Sequence, residues 1–179
     1  MSDPKIALDL ALRAEDETLA GTITNTPGDR GGLTRFGLAA QYHPELAAEG
    51  FYDASMDAAT ALVLAEEEYD VEYVVPLMIA QIDAQPIANA LMNFAINEEG
   101  QGKRGMAVEL LQKACEVFPA DGVMGPQTLA AINAADPAEL LVTYCMLQRA
   151  HYRQIAAADP TQQKFLAGWI NRVNAAQSA

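Results

Sequence analysis

Asp136-Pro137-Ala138-Glu139 opens the stretch that decides the fold. An aspartate just before a helix can accept from the free N–H groups of the first turn. Proline suits the first helical position because the N–H it lacks would have no partner there. Glu139, three residues after Asp136, completes a capping-box arrangement. Beyond it Leu141, Tyr144, Gln148, His151 and Ile155 recur at helical spacing, with Cys145 alongside. The stretch predicts a helix over 137–158. The same Asp-Pro chemistry at Asp3-Pro4 and Asp159-Pro160 predicts helices over 3–16 and 161–175.

Working outward, Met106, Leu110, Leu111, Ala114 and Val117 share a helical face, predicting a helix over 103–118. Further helices are expected over 56–81, 84–98 and 126–134, with Pro76 dividing the first of these into two. Residues 18–38 differ. Thr22-Ile23-Thr24 is β-prone and Pro27-Gly28-Asp29-Arg30-Gly31-Gly32 is dense in turn formers, which predicts a short hairpin or loop pair. No repeat, low-complexity segment or linker divides the chain. Its 179 residues, 51% hydrophobic and 7% aromatic, suit one mainly α domain with a small irregular β lobe.

Charge narrows the function. Eleven basic against 24 acidic residues give a net charge of −13. Phosphate recognition is built on clustered Lys and Arg, so no nucleic-acid partner is expected, and adhesion to anionic membranes or wall polymers is disfavoured as well. Acidic groups on solvated helix faces are the simple explanation. Cys115 and Cys145 both fall in helical stretches and read as buried thiols; two residues cannot build a zinc site alone. Met1-Ser2-Asp3-Pro4-Lys5 lacks a basic leader, Asp9 interrupts the apolar run that follows, and no run is long enough to span a bilayer.

Three segments carry candidate chemistry. On the first helix Lys5, Asp9, Arg13 and Asp16 form a polar stripe, whereas Glu15 falls beside Leu8, Ala11 and Leu12 on the face that meets the core. A carboxyl group at an apolar rim resists ionisation, as a glycosidase acid must; an outward bend at a fraying helix end is the competing reading. In Asp29-Arg30-Gly31-Gly32-Leu33-Thr34-Arg35-Phe36-Gly37, paired glycines let the backbone approach a ligand. Asp29 and Thr34 would flank the turn and could position a water, or could satisfy the backbone of a tight turn. Asp121-Gly122-Val123-Met124-Gly125-Pro126-Gln127-Thr128 reads as a turn between helices, with nothing that demands catalysis.

Together these segments resemble glycoside hydrolase family 108, the N-acetylmuramidases also described as secretion activators, with their C-terminal peptidoglycan-binding-like region. The resemblance runs through Leu12-Arg13-Ala14-Glu15, the Asp29–Gly37 turn and Asn93-Phe94-Ala95-Ile96-Asn97-Glu98-Glu99-Gly100. It continues through Leu110-Leu111-Gln112-Lys113-Ala114, the Asp121–Thr128 turn and Phe165-Leu166-Ala167-Gly168-Trp169-Ile170-Asn171-Arg172-Val173. It implies a lysozyme-like fold with a catalytic part over 1–82 and a helical peptidoglycan-binding-like part over 83–179 packed on it. It also implies hydrolysis of the β-1,4 bond between N-acetylmuramic acid and N-acetylglucosamine, with no metal or other cofactor. Glu15 would match the catalytic acid and Asp29 and Thr34 the cleft residues. Gly31, Gly32 and Asn97 would support the cleft, while Asn97 and Trp169 pack and brace.

The chain departs from the family pattern in three places, one of them Leu38-Ala39 where Ile-Thr is usual after the turn. Asp16-Glu17-Thr18-Leu19 stands where the family commonly has Gly-Gly and an aromatic. Thirteen residues separate Glu15 from Asp29, where about eight are usual, and an insertion within the hairpin would account for this. Glu17 is the fallback acid, and an inactive site the third reading. The expected partner is the glycan strand of bacterial peptidoglycan, met by a monomer made in the cytoplasm without a signal peptide. Release through a holin-type lesion or an export apparatus would deliver a phage endolysin or a wall-degrading effector. The alternative is a catalytically weak or inactive wall-binding component of a virion or secretion machine.

Overall fold

Aspartates start the helices where the sequence predicts. In the computed structural model, which describes residues 1–25, 31–99 and 105–178, a carboxylate oxygen of Asp3 accepts from the Lys5 N–H at 2.9 Å. One of Asp136 accepts from Ala138 and Glu139 at 3.0 Å each, and one of Asp159 from Thr161 at 2.9 Å. Helix α1 follows the first cap over Pro4–Glu15. Asp57 provides a fourth cap, bonded to the N–H groups of Ala59 and Thr60 at 3.0 Å each.

After α1 the chain forms three short antiparallel strands, β1 (Thr24–Asn25), β2 (Leu33–Arg35) and β3 (Leu38–Ala39), in that order across the sheet. Thr24 faces Thr34, and Arg35 faces Leu38. The expected hairpin thus gains a third strand. Phe36 and Gly37 join β2 to β3 with φ of +50° and +83°, the twist that a two-residue hairpin turn favours. Phe36 accepts the left-handed conformation while its ring is buried.

Two short helices follow, α2 (Pro44–Ala48), which the sequence pattern does not announce, and α3 (Ala58–Tyr69). The helix expected over 56–81 is shorter. It widens into a π turn over Asp70–Val74 and resumes only as a 3-10 turn at Ile79–Gln81. Pro76 has no N–H to return to the preceding turn and its ring crowds the carbonyl there, so the regular ladder ends short of it.

The second half is helical: α4 (Gln85–Glu99), α5 (Met106–Ala114), α6 (Pro126–Ala134), α7 (Pro137–Ala158), a 3-10 segment Pro160–Phe165 and α8 (Leu166–Ser178). The last helix begins later than expected. None of residues 160–165 is buried, and the segment takes the tighter 3-10 geometry before α8 begins. Helix α4 is the centre of the molecule. Ile87, Ala88, Ala90, Leu91 and Met92 are completely buried on it, and α1, α5, α7 and α8 all pack against it. A helix apolar around so much of its girth is stable only inside other helices. No helix among the described residues is long and apolar enough to cross a membrane.

Gln112 on α5 organises the Asp121–Thr128 turn. Its buried amide nitrogen donates to Asp121 Oδ1 at 2.8 Å, Thr128 Oγ1 at 3.1 Å and the Val123 carbonyl at 3.2 Å; its oxygen accepts from the Gly122 N–H at 2.9 Å. The segment is structural, as its sequence suggests. Gln112→Ala should cost about 1–2 kcal/mol in urea unfolding, because the buried amide and Thr128 lose their bond and the turn loses its anchor. A loss below about 0.5 kcal/mol would show that the turn closes without it.

Candidate functional site

Helix α1 carries Ala7, Leu8, Ala11 and Leu12 into the core and stops at Glu15, where the buried face meets the surface. The Glu15 side chain is 26% exposed. The apolar rim expected around it is corrected by the structure. Arg172 of α8 places its Nη1 2.7 Å from Glu15 Oε1, in a charge-assisted hydrogen bond. Sequence periodicity cannot show this pairing, since the two residues lie 157 positions apart.

Arg172 is itself held. Its Nε donates to Asn93 Oδ1 on α4 at 2.8 Å, and its Nη2 is buried with no hydrogen-bond partner among the described residues. On the other side Glu15 meets the β2–β3 turn. A Cβ on Gly37 would lie 2.9 Å from Glu15 Cγ and 2.7 Å from the Tyr69 hydroxyl, so no larger residue fits between them. Tyr69, buried at the end of α3, donates to the Phe36 carbonyl at 2.9 Å and fixes that turn. Glu15 therefore stands where first helix, β lobe and last helix converge.

Arg35 joins the lobe to the rest. Its buried guanidinium donates to the carbonyls of Gly21 at 2.9 Å, Phe51 at 2.8 Å and Met56 at 2.9 Å. Asp16 closes the loop after Glu15 by accepting from the Gly21 N–H at 2.8 Å and from the Thr18 hydroxyl at 3.1 Å. Burial pushes the Asp16 carboxyl up, but the bonds from Gly21 and Thr18 outweigh it and hold the group below the usual carboxylate range. Asp16 thus builds the loop at the site rather than serving as an acid.

The other predicted residues fall as follows. Asp29 lies outside the described residues. Thr34 sits on β2, half-buried, its hydroxyl 3.5 Å from the Gly32 carbonyl. Gly31 is buried, and Gly32 takes a left-handed conformation at φ +73°. Glu17 is exposed on the loop, its carbonyl 3.5 Å from Arg13 Nη1. Asn97 donates from its amide to the Tyr152 hydroxyl at 2.5 Å, and Trp169 stacks on that tyrosine ring, with centroids 5.1 Å apart. Both brace α4 and α8 against α7. A groove of about 480 Å³ runs between α1, α4 and α8, lined by Ala14, Asn93, Asn97, Trp169 and Arg172 among others; Glu15 is not among its lining residues.

Comparison with known proteins gives two family matches and a similar solved structure. Residues 16–98 match the family described as Glycosyl hydrolase 108, and residues 106–174 match the family described as Predicted Peptidoglycan domain. The first match opens one residue after Glu15. A solved structure of Brucella abortus SagA is similar over 98% of this chain and 91% of that chain, with TM-score 0.71 and 25% sequence identity. No match was found among curated proteins. The fold is accordingly mainly α and lysozyme-like.

The Glu15–Arg172 bond should appear as a coupling. In a double-mutant cycle of Glu15→Gln and Arg172→Gln followed by urea unfolding, the interaction term is expected at about 1–2 kcal/mol. A term indistinguishable from zero would mean that the pair contributes nothing to holding the carboxylate.

Proposed function

We propose, from the match of residues 16–98 to the glycosyl hydrolase 108 family and of residues 106–174 to the predicted peptidoglycan domain, that the chain is a muramidase with Glu15 as its acid. The coarser statement, a glycosidase directed at peptidoglycan, follows from the two families together. The observation that carries the finer reading is the setting of Glu15. It is a partly exposed carboxyl group at the end of α1, fixed by Arg172 on one side and by the Gly37 turn on the other, and its neighbours Ala14 and Arg172 line a groove.

In this reading Glu15 gives a proton to the oxygen linking N-acetylmuramic acid to N-acetylglucosamine as the bond to the anomeric carbon breaks. Water adds its hydroxyl to that carbon, and its remaining proton leaves to a base. Asp29 and Thr34 are the groups proposed to orient that water, on the strength of their place in the sequence motif. Arg172 keeps the carboxyl oxygen of Glu15 in place through its 2.7 Å bond. The enzyme is proposed to reach the wall after release from the cytoplasm, as a phage lysin or an exported effector.

The ion pair also favours a second reading. Glu15 could serve as a staple between the first and last helices of a wall-binding component that does not cut. Fragments released from purified peptidoglycan separate the two. The wild type should release disaccharide-peptides with N-acetylmuramic acid at the reducing end. Glu15→Gln, folded by circular dichroism, should lose about 10²–10⁴-fold in rate. Equal release by both would move the acid to Glu17 or elsewhere, and wall binding without release by either would establish the second reading.

The Gly37 contact gives a further check. Gly37→Ala adds a methyl at a positive φ and against Glu15, so it should lower the rate about 10–100-fold by displacing the carboxyl group. Unchanged turnover would show that the position of Glu15 does not limit the reaction.

A further inference from the structure

Between α2 and α3 three potential metal ligands converge without a hydrogen bond to explain them. His43 is 8% exposed, and its Nδ1 is buried with no hydrogen-bond partner among the described residues. That atom lies 3.5 Å from Glu68 Oε1 and 3.8 Å from Glu45 Oε1, and the three donor atoms all fall within 4.8 Å of one another. His43 occupies the N-cap position of α2 but makes no side-chain cap bond. Glu45 is on α2 and Glu68 on α3.

The distances are the informative feature. The other histidine of the chain, His151, meets its own buried carboxylate, Glu98, at 2.8 Å, an ordinary hydrogen bond. At His43 both carboxylates stand too far off for one. Donors bound about 2.0–2.2 Å from a common tetrahedral ion lie roughly 3.3–3.6 Å from each other; the His43–Glu68 pair at 3.5 Å already has that spacing, and the His43–Glu45 pair at 3.8 Å needs a small inward turn of the exposed Glu45. The Tyr52 hydroxyl, buried and also without a partner among the described residues, is pushed up to about 12 by burial and by the charges of Glu45 and Glu68. Two orphaned polar groups thus border a pair of carboxylates with which no lysine or arginine among the described residues makes an ion pair.

We propose that His43, Glu45 and Glu68 bind a divalent transition-metal ion of the zinc class, which pins α2 to the end of α3. One imidazole with two carboxylates suits zinc and disfavours calcium and magnesium, which take oxygen donors. Glu45 is 55% exposed, so the ion has a path from solvent. The site is structural: Glu68 precedes Tyr69, whose hydroxyl fixes the turn against Glu15, so an ion here stiffens the wall behind the candidate acid. It is independent of the muramidase reading.

The test is titration of the chelator-treated full chain with zinc chloride, followed by calorimetry and thermal unfolding. One zinc per chain is expected, raising Tm by roughly 5–10 °C at about a hundredfold excess over Kd. Calcium and magnesium should neither shift Tm nor compete. His43→Gln should lose at least about tenfold in affinity, and so should Glu45→Gln, whose exposed side chain makes it safe for folding. Cys115→Ser should bind as the wild type does, and cobalt in place of zinc should give tetrahedral bands without thiolate charge transfer. No uptake at micromolar free zinc would overturn the proposal, as would undiminished binding by Glu45→Gln and His43→Gln or a thiolate band with cobalt.

Discussion

Helix α4 buries Ile87, Ala88, Ala90, Leu91 and Met92 completely, and α1, α5, α7 and α8 supply the cover. Burial on that scale is the main favourable term in folding, but it traps every polar group the helix carries. Asn89, Asn93 and Glu98 are all buried, and each has found a partner: Gln85, Arg172 and His151 respectively. The candidate site grows out of this requirement. Asn93 must be satisfied, Arg172 satisfies it, and the remaining reach of that guanidinium holds Glu15. A core constraint therefore positions a surface carboxylate.

The β lobe is too small to hold itself. Strands of two or three residues bury little apolar area, and a short hairpin is marginal in water. Arg35 and Tyr69 make up the difference through bonds to backbone carbonyls, which fix the path of the chain whatever side chains it bears. The turn they hold at Phe36–Gly37 is the surface that Glu15 packs on. Lobe and acid are placed by one set of contacts, so the site carries the geometry of the whole fold rather than of one motif.

Local chemistry settled much in advance. Asp-Pro pairs marked where α1, α7 and the final helical segment begin, because capping needs no more than neighbouring residues. The bounds of α7 came out as predicted, and so did those of α6, which opens on Pro126 after an uncapped Gly125. The β region was legible as turn-rich, and Gly37 stood in a quoted motif, although its reason, the approach of Glu15, was hidden. Where local signals were weak, as at α2 and the π turn before Pro76, the prediction was coarse.

What the sequence determined by itself was the helical class, the starts of α1, α6 and α7, the small β region and Glu15 as a carboxyl at the end of an apolar face. Tertiary structure decided the company that carboxyl keeps. Periodicity reports which face of a helix turns inward, and it ends with the helix. It cannot bring Arg172 to Glu15 or Tyr69 to Phe36, since those meetings depend on how α4 is covered and on where the chain returns. The same limit hid His43, Glu45 and Glu68, whose donors converge across two helices only once α2 has folded against α3.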